Sequence, residues 1–349
     1  MRRLPIFFVL DVSESMLGDN LSALQSGLSE IDRNLRNNAH ALETVCISVI
    51  AFAGQARTIA PLVELETFYP PKLPIGSGTC LGAALNHLMS EIDRQVIKTI
   101  ADRKGDWKPI VYLMTDGKPT DNVSLAIKKW REEYEKRATM IAIAIGQHAD
   151  QTVLQRLTDT VLVFSNHQEG DFTKFIQWIT ASISAQSEPV DPTARAKTSV
   201  TLAKLDNNVL EFVSPRGAKP VLDPDTVVLT GRCQRRKSPY LMKFVRGNER
   251  QENSRHSYTV AGCYPVEEEY FAWSDPSSAE AASISTGDLL GGAGCPHCAN
   301  PFAFAICGCG RLMCVSGEGE ATCPWCHKSS SFSVTQEGDP LMNIQRGLG

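Results

Sequence analysis

Phe7-Phe8-Val9-Leu10-Asp11-Val12-Ser13-Glu14-Ser15-Met16 is the stretch whose reading decides the fold. An apolar run of strand length stops at a carboxylate and then offers two hydroxyls at alternate positions. A buried parallel strand delivers polar groups to its carboxyl edge in this way. Asp11, Ser13 and Ser15 are hard oxygen donors, suited to Mg²⁺ or Mn²⁺ rather than to zinc. Taken alone, the D-x-S-x-S spacing also arises where a strand turns into a helix that needs a cap, so a metal site requires further residues.

Those residues lie further along. After the first strand, Asp19-Asn20 can cap a helix whose apolar residues Leu21, Leu24, Leu28, Ile31 and Leu35 follow steps of three and four. Residues 45–52 read as a central strand and 56–63 as its hairpin partner. The rigid loop Pro70-Pro71-Lys72-Leu73-Pro74 leads to Ile75-Gly76-Ser77-Gly78-Thr79, where a helical pattern begins with Leu81, Leu85, Leu88, Met89 and Ile92 on one side. The strand 109–115 again ends in polar residues, Asp116-Gly117-Lys118-Pro119-Thr120-Asp121. A polar helix over 123–137, strands over 140–146 and 161–164, and a helix over 171–184 complete the alternation. Strands alternating with amphipathic helices predict an α/β fold, a doubly wound, mostly parallel, Rossmann-like sheet. Ligands of such sheets collect outside the carboxyl ends of the strands, where Asp11, Ser13, Ser15, Thr79 and Asp116 are all expected. Asp121 and Glu14 are accounted for as a helix cap and a solvated loop charge, and His87, His148 and His167 as surface or packing residues.

Other anion or phosphate sites fit less well. A phosphate-transfer aspartate motif wants a second carboxylate where Ser13 stands. Gly76-Ser77-Gly78 lacks the following Lys and Ser or Thr of a phosphate loop, and Leu81 occupies the place of the third glycine of a dinucleotide fingerprint. The five oxygen ligands instead resemble the metal-ion-dependent adhesion site of the von Willebrand factor A domains. That resemblance implies Mg²⁺ (or Mn²⁺) held by the hydroxyls of Ser13, Ser15 and Thr79, with Asp11 and Asp116 acting through bound water. Neutral ligands leave the cation's charge poorly quenched, so the open position suits a carboxylate from a partner protein. Such a site binds; it has no evident nucleophile or general base.

Over 349 residues, 42% hydrophobic and 21% charged, the chain can bury a large core and divide into two or more domains. A net charge of −4 gives no reason to expect nucleic acid or an anionic membrane as partner. No apolar stretch is long enough to span a bilayer, and Met1-Arg2-Arg3-Leu4-Pro5 runs straight into a strand, so a cytoplasmic protein is expected. The expected division is an α/β domain over 1–187, a β-rich region over 198–273 with strands near 198–205, 225–229, 240–245 and 258–260, and a cysteine-rich module over 295–334. Ser187-Glu188-Pro189-Val190-Asp191-Pro192-Thr193 and the Ser/Ala/Gly-rich residues 274–294 read as linkers, and the polar tail after Val334 as mobile.

Of the eleven cysteines, seven lie between Cys295 and Cys326, and in a reducing compartment their spacing favours metal over disulfides. Cys295-Pro296-His297-Cys298 and Cys323-Pro324-Trp325-Cys326 are zinc knuckles flanking a predicted hairpin, 302–306 and 311–315, that would bring them together around Zn²⁺. Cys307, Cys309 and Cys314 then form a second site with Cys233, Cys263 or a histidine such as His256, or exchange roles with the knuckles in an interleaved arrangement. An A domain followed by a β-rich stretch and this zinc-ribbon-like module resembles the TerY proteins of bacterial tellurite-resistance and stress-response systems. The resemblance implies a non-enzymatic partner of a Ser/Thr protein kinase and a metal-dependent protein phosphatase. Two alternatives stand beside it. Arg232, Arg235, Arg236, Lys237, Lys243, Arg246, Arg250 and Arg255 could serve a nucleic-acid-associated zinc ribbon, although a solvated hairpin edge also explains them. A metal-assisted hydrolase or phosphotransferase is the other.

Overall fold

All eight residues of strand β1, Leu4–Asp11, are buried, as are all eight of β2, Val45–Phe52. Strands this apolar are stable only when both faces of their sheet are covered. The computed structural model describes residues 2–100, 102, 104–116, 118–145, 151–164, 171–187, 210–212, 226–246, 258–274, 283–333 and 342–347. The chain divides into two compact units. One comprises Met1–Val12, Asp19–Pro74 and Thr79–Pro220, the other Ser13–Gly18, Ile75–Gly78 and Val221–Gly349.

In the first unit, helices α1 (Asp19–Arg36) and α2 (Ala39–Thr44) lead from β1 to β2, and β3 (Ala56–Glu64) follows as its antiparallel partner. Helix α3 (Leu81–Gln95), β4 (Ile110–Thr115), α4 (Ser124–Lys129), β5 (Thr139–Ile145), α5 (Gln151–Leu157), β6 (Val161–Phe164), α6 (Asp171–Ser187) and β7 (Leu210–Phe212) complete it. The sheet order is β3-β2-β1-β4-β5-β6-β7, parallel from β2 through β6 and antiparallel at both edges. Alternate side chains of β1 face opposite ways. Phe7 and Val9 join Val111, Leu113, Leu85, Leu88 and Ile127 beneath α3 and α4. Phe8 and Leu10 meet Leu24, Leu28 and Ile31 of α1 and Ile176 of α6. Each such side chain contributes roughly 1.5–3 kcal/mol by leaving water. The doubly wound sheet expected from the alternation is therefore present.

Two local features differ from the sequence reading. The helix expected over 123–137 ends at Lys129 and continues as a π turn over Trp130–Tyr134, closed by Glu135 N–H donating to Trp130 O at 3.0 Å, with both rings buried and stacked. The antiparallel strand β7 was not foreseen, and the linker expected at 187–193 lies, apart from Ser187, outside the described residues, as does the strand expected at 198–205.

The second unit is built on a six-stranded sheet. Its strands are β8 (Thr226–Arg232), β9 (Pro239–Arg246), β10 (Tyr258–Pro265), β12 (Leu289–Leu290), β13 (Phe302–Ile306) and β14 (Leu312–Val315), in the order β12-β10-β9-β8-β14-β13. Helix α7 (Glu269–Trp273) follows β10, and β11 (Ser283–Ser285) precedes β12. A hairpin of β15 (Gly319–Thr322) and β16 (Ser329–Phe332) and a strand β17 (Asn343–Gln345) end the unit. The predicted hairpin is present as the antiparallel pair β13 and β14. Parallel pairing of β14 with β8 places the β-rich region and the cysteine-rich module, which the sequence separates, in one sheet. The expected linker at 274–294 holds β11 and β12, and the tail expected to be mobile holds β17, paired antiparallel with β11. Ile284 and Ile344 meet in that ladder and are buried, and their burial orders a stretch that composition reads as flexible. Among the described residues no helix is long and apolar enough to cross a membrane.

Candidate metal centres

The oxygen ligands are best followed unit by unit. In the first, Asp11 ends β1, is fully buried and accepts a hydrogen bond from Thr115 Oγ1 at 2.5 Å, at the end of the neighbouring strand β4. Asp116 is the next residue, half-buried in the turn that follows. Thr79 stands before α3. Its N–H donates to Thr120 Oγ1 at 3.0 Å and its carbonyl accepts from Thr120 N–H at 2.9 Å, which ties it to the loop after β4. Asp121 in that loop accepts from Gly82 N–H at 3.0 Å and Ala83 N–H at 2.9 Å and so caps α3, the role expected for it. The Thr79 hydroxyl is different. It is buried, and its Oγ1 has no hydrogen-bond partner among the described residues.

In the second unit, Ser13 and Ser15 are buried and their hydroxyl oxygens lie 3.0 Å apart. Adjacent oxygen ligands on an octahedral Mg²⁺ with bonds of about 2.0–2.1 Å are about 2.9 Å apart, so the pair fits that ion. Ser13 bridges to Gly76 in parallel fashion. Glu14, expected as a solvated charge, is instead fully buried; it accepts from Tyr270 Oη and from Ser77 Oγ at 3.0 Å. Burial and the Glu14 carboxylate together hold the Tyr270 hydroxyl well above its ordinary pKa. His87, expected as a packing residue, shares a 2.8 Å hydrogen bond with Thr58, whereas His148 and His167 lie outside the described residues.

The cysteines form two groups, Cys233, Cys295, Cys298 and Cys314, and Cys307, Cys309, Cys323 and Cys326, each with its sulfurs within 4.8 Å of one another. The two knuckles therefore do not share an ion, contrary to the first arrangement drawn from the sequence. Each takes two partners from elsewhere, in the interleaved manner given as the alternative. Cys233 completes the first group and Cys263 joins neither, and His256 lies outside the described residues. The backbone explains why a lone cysteine can serve. Cys233, Cys295 and Cys323 each accept from the N–H four residues on and donate to the carbonyl five residues on, with Lys237, Ala299 and His327 at φ near 60°. Cys233 thus sits on a knuckle whose second cysteine position is Arg236, whose N–H donates to Cys233 Sγ at 3.3 Å.

The sulfur spacing suits zinc. Cys298 and Cys314 are 3.6 Å apart, Cys307 and Cys326 3.7 Å, and Cys309 and Cys323 3.9 Å. A tetrahedron with Zn–S bonds of about 2.3 Å has edges of about 3.8 Å. Burial pushes four of these thiols up, Cys295, Cys309, Cys314 and Cys323, the last to about 12. At Cys307 burial is outweighed by the Cys309 N–H and the neighbouring thiols, which bring it down to about 7. Four thiolates leave no open position, so both groups suit structural rather than catalytic ions.

Three residues of the basic stretch are committed within their own unit. Arg232 pairs with Glu268 at 2.6 Å and stacks over Trp325 and Phe271, Lys243 donates to two backbone carbonyls, and Arg246 lies over Tyr258. Arg235, Arg236 and Lys237 are exposed, and Arg250 and Arg255 lie outside the described residues. Lys243 and Arg246 sit on β9, an interior strand, and not on the solvated edge expected for them.

Comparison with known proteins finds two family profiles in the chain. The profile of the von Willebrand factor type A domain matches residues 6–178, and that of the TerY-C metal binding domain residues 223–349. Among solved structures, a von Willebrand factor type A protein from Catenulispora acidiphila is 14% identical, with 76% of this chain and 66% of that chain covered and a TM-score of 0.41. Proximal thread matrix protein 1 from the mussel byssus is 19% identical with a TM-score of 0.38; 52% of this chain is covered, and the chain spans about half, 48%, of that protein's length. BatB from Bacteroides thetaiotaomicron is 17% identical, with 52% of this chain and 99% of that chain covered and a TM-score of 0.37. No curated protein matches the chain. The chain accordingly joins a von Willebrand factor type A domain to a TerY-C metal binding domain.

Proposed function

We propose that this chain is a non-enzymatic adaptor of a bacterial tellurite-resistance or stress-response phosphorylation system. It grips a carboxylate of a partner protein through Mg²⁺ or Mn²⁺ held by Asp11, Ser13, Ser15, Thr79 and Asp116, while the zinc module, maintained by its cysteines, is a second docking surface. The observation that carries the reading is the buried Thr79 hydroxyl oxygen with no hydrogen-bond partner among the described residues. An unpaired buried polar group costs about 1–3 kcal/mol, and a cation bound to that oxygen offsets the cost. Uncharged donors leave the cation able to take an acidic side chain, which is a binding role and requires no nucleophile. The resemblance to the TerY proteins implies a Ser/Thr protein kinase and a metal-dependent protein phosphatase as its partners. Eleven cysteines without a disulfide fit a reducing compartment, and the cytoplasm is the location this supports.

Affinity capture with wild-type, Asp11→Ala and Thr79→Val baits tests the reading. The wild-type bait is expected to retain a partner only with Mg²⁺, and both variants to lose it while keeping their fold. A partner retained by the variants and in the presence of EDTA refutes the grip.

A further inference from the structure

The loop that carries Ser13 and Ser15 and the segment Ile75–Gly78, bridged to it through Ser13 and Gly76, are built into the second unit through four kinds of contact. Lys243 Nζ, from the middle of β9, donates to the carbonyls of Ser15 and Leu17, both at 2.8 Å. Glu14, between the two serines, takes the Tyr270 hydroxyl, which itself lies 3.2 Å from Thr230 of β8. Leu17 is buried with Val228, Leu241, Val266 and Tyr270, and Ile75 packs against the same cluster. Ser77 N–H donates to Ser274 Oγ at 2.9 Å, and a side chain on Gly76 would meet Trp273 Cβ at 2.6 Å. An ammonium on the last carbonyls of a short turn opposes its partial negative charge, and a carboxylate pinned from both sides fixes the direction of the residues on either side of it.

We infer that Lys243 and Tyr270 are positioning residues of the adhesion site: by fixing the turn Glu14–Met16 they aim the Ser13 and Ser15 hydroxyls. Cation affinity is thereby tied to the sheet of the TerY-C domain. The chain itself provides the link, because β8, which packs on Leu17 through Val228, runs directly into the zinc-group ligand Cys233. Occupancy of the adhesion site and integrity of the zinc-bearing sheet then stabilise each other, as linkage requires. This inference rests on the cation-site reading given above, and its test separates the two.

Mn²⁺ binding is followed by electron paramagnetic resonance on the full chain, with zinc content and melting temperature measured in parallel, and amide exchange over residues 13–18 is recorded without Mn²⁺. The wild type is expected to bind and Asp11→Ala not to bind. Lys243→Met and Tyr270→Phe are expected to weaken binding by about tenfold, within the usual range for groups that orient metal ligands. Exchange of the loop amides should quicken in both at unchanged zinc content, and Lys243→Arg, which can still donate to carbonyls, should restore both readouts. Wild-type affinity in Lys243→Met and Tyr270→Phe, whether or not exchange quickens, overturns the positioning role and leaves the cation site standing. Failure of the wild type to bind, or binding by Asp11→Ala, overturns the cation site and the positioning role with it. Should Lys243→Met lose zinc or fail to fold, Tyr270→Phe, which removes a single oxygen, decides.

Discussion

Thr79, Asp11 and Cys233 mark the limits of reading single residues. Thr79 and Asp11 are legible because their motifs are local: a strand end with alternating hydroxyls, and a glycine loop opening into a helix. Cys233 is legible only as one candidate beside Cys263 and a histidine, since no second cysteine follows it at knuckle spacing. The available signal is its turn. A strand ending in cysteine, three polar residues, a left-handed Lys237 and a return strand repeat the frame of Cys295 and Cys323. Replacing Cys233 with serine removes one of four thiolates from one group and leaves the other group whole. Zinc content measured by plasma emission is expected to fall by one equivalent per chain in Cys233→Ser, and to stay unchanged in Cys263→Ser, whose thiol belongs to neither group. Equal losses in the two variants contradict the grouping. Glu14 was misjudged for a related reason. A charge in a loop reads as solvated until the groups that bury it, Tyr270 and Ser77, are placed beside it by distant segments.

Among the elements, α3 shows how a helix start can be assembled from two places. Cys80 at its N-cap makes no side-chain cap bond, and the two leading amides are taken by Asp121 from the loop after β4. In the same loop, Thr120 exchanges two hydrogen bonds with the Thr79 backbone, so the loop after β4 holds Thr79 as well as the helix. Asp121→Ala is expected to cost about 1 kcal/mol, the usual size of a lost N-cap, as a lower denaturation midpoint in urea at unchanged slope. A midpoint equal to that of the wild type would show the two bonds to be dispensable. The sequence gives the carboxylate a capping role but cannot say which helix it caps. Strands β11 and β17 teach the same lesson more strongly. Serine-rich and tail composition argues for flexibility, yet three residues of each pair because Ile284 and Ile344 find a common hydrophobic neighbourhood.

For the molecule as a whole, the two units draw on different sources of stability. The seven-stranded sheet is covered by helices on both faces and buries strands that are apolar throughout. The second unit buries several of its cysteines beside its apolar residues and needs their charge to be met by an ion. Stripping zinc, or acidifying until the thiolates take up protons in competition with the metal, is therefore expected to expose residues 226–347, and with them the segments 13–18 and 75–78, to protease, while the rest of residues 4–187 stays resistant. Thermal unfolding of the zinc-loaded chain should show two transitions in place of one cooperative event, and zinc removal should abolish the one that belongs to the second unit. A protease pattern indifferent to zinc removal rules this out. By itself the sequence determined the doubly wound sheet and the presence of a cysteine-rich metal-binding module. Those follow from hydrophobic period and donor chemistry, which are local properties. Only the tertiary structure decided which cysteines share a group, that Glu14 is buried, and that the β-rich and cysteine-rich regions form one sheet, because each depends on segments far apart in the chain meeting to close a coordination shell or bury a polar group.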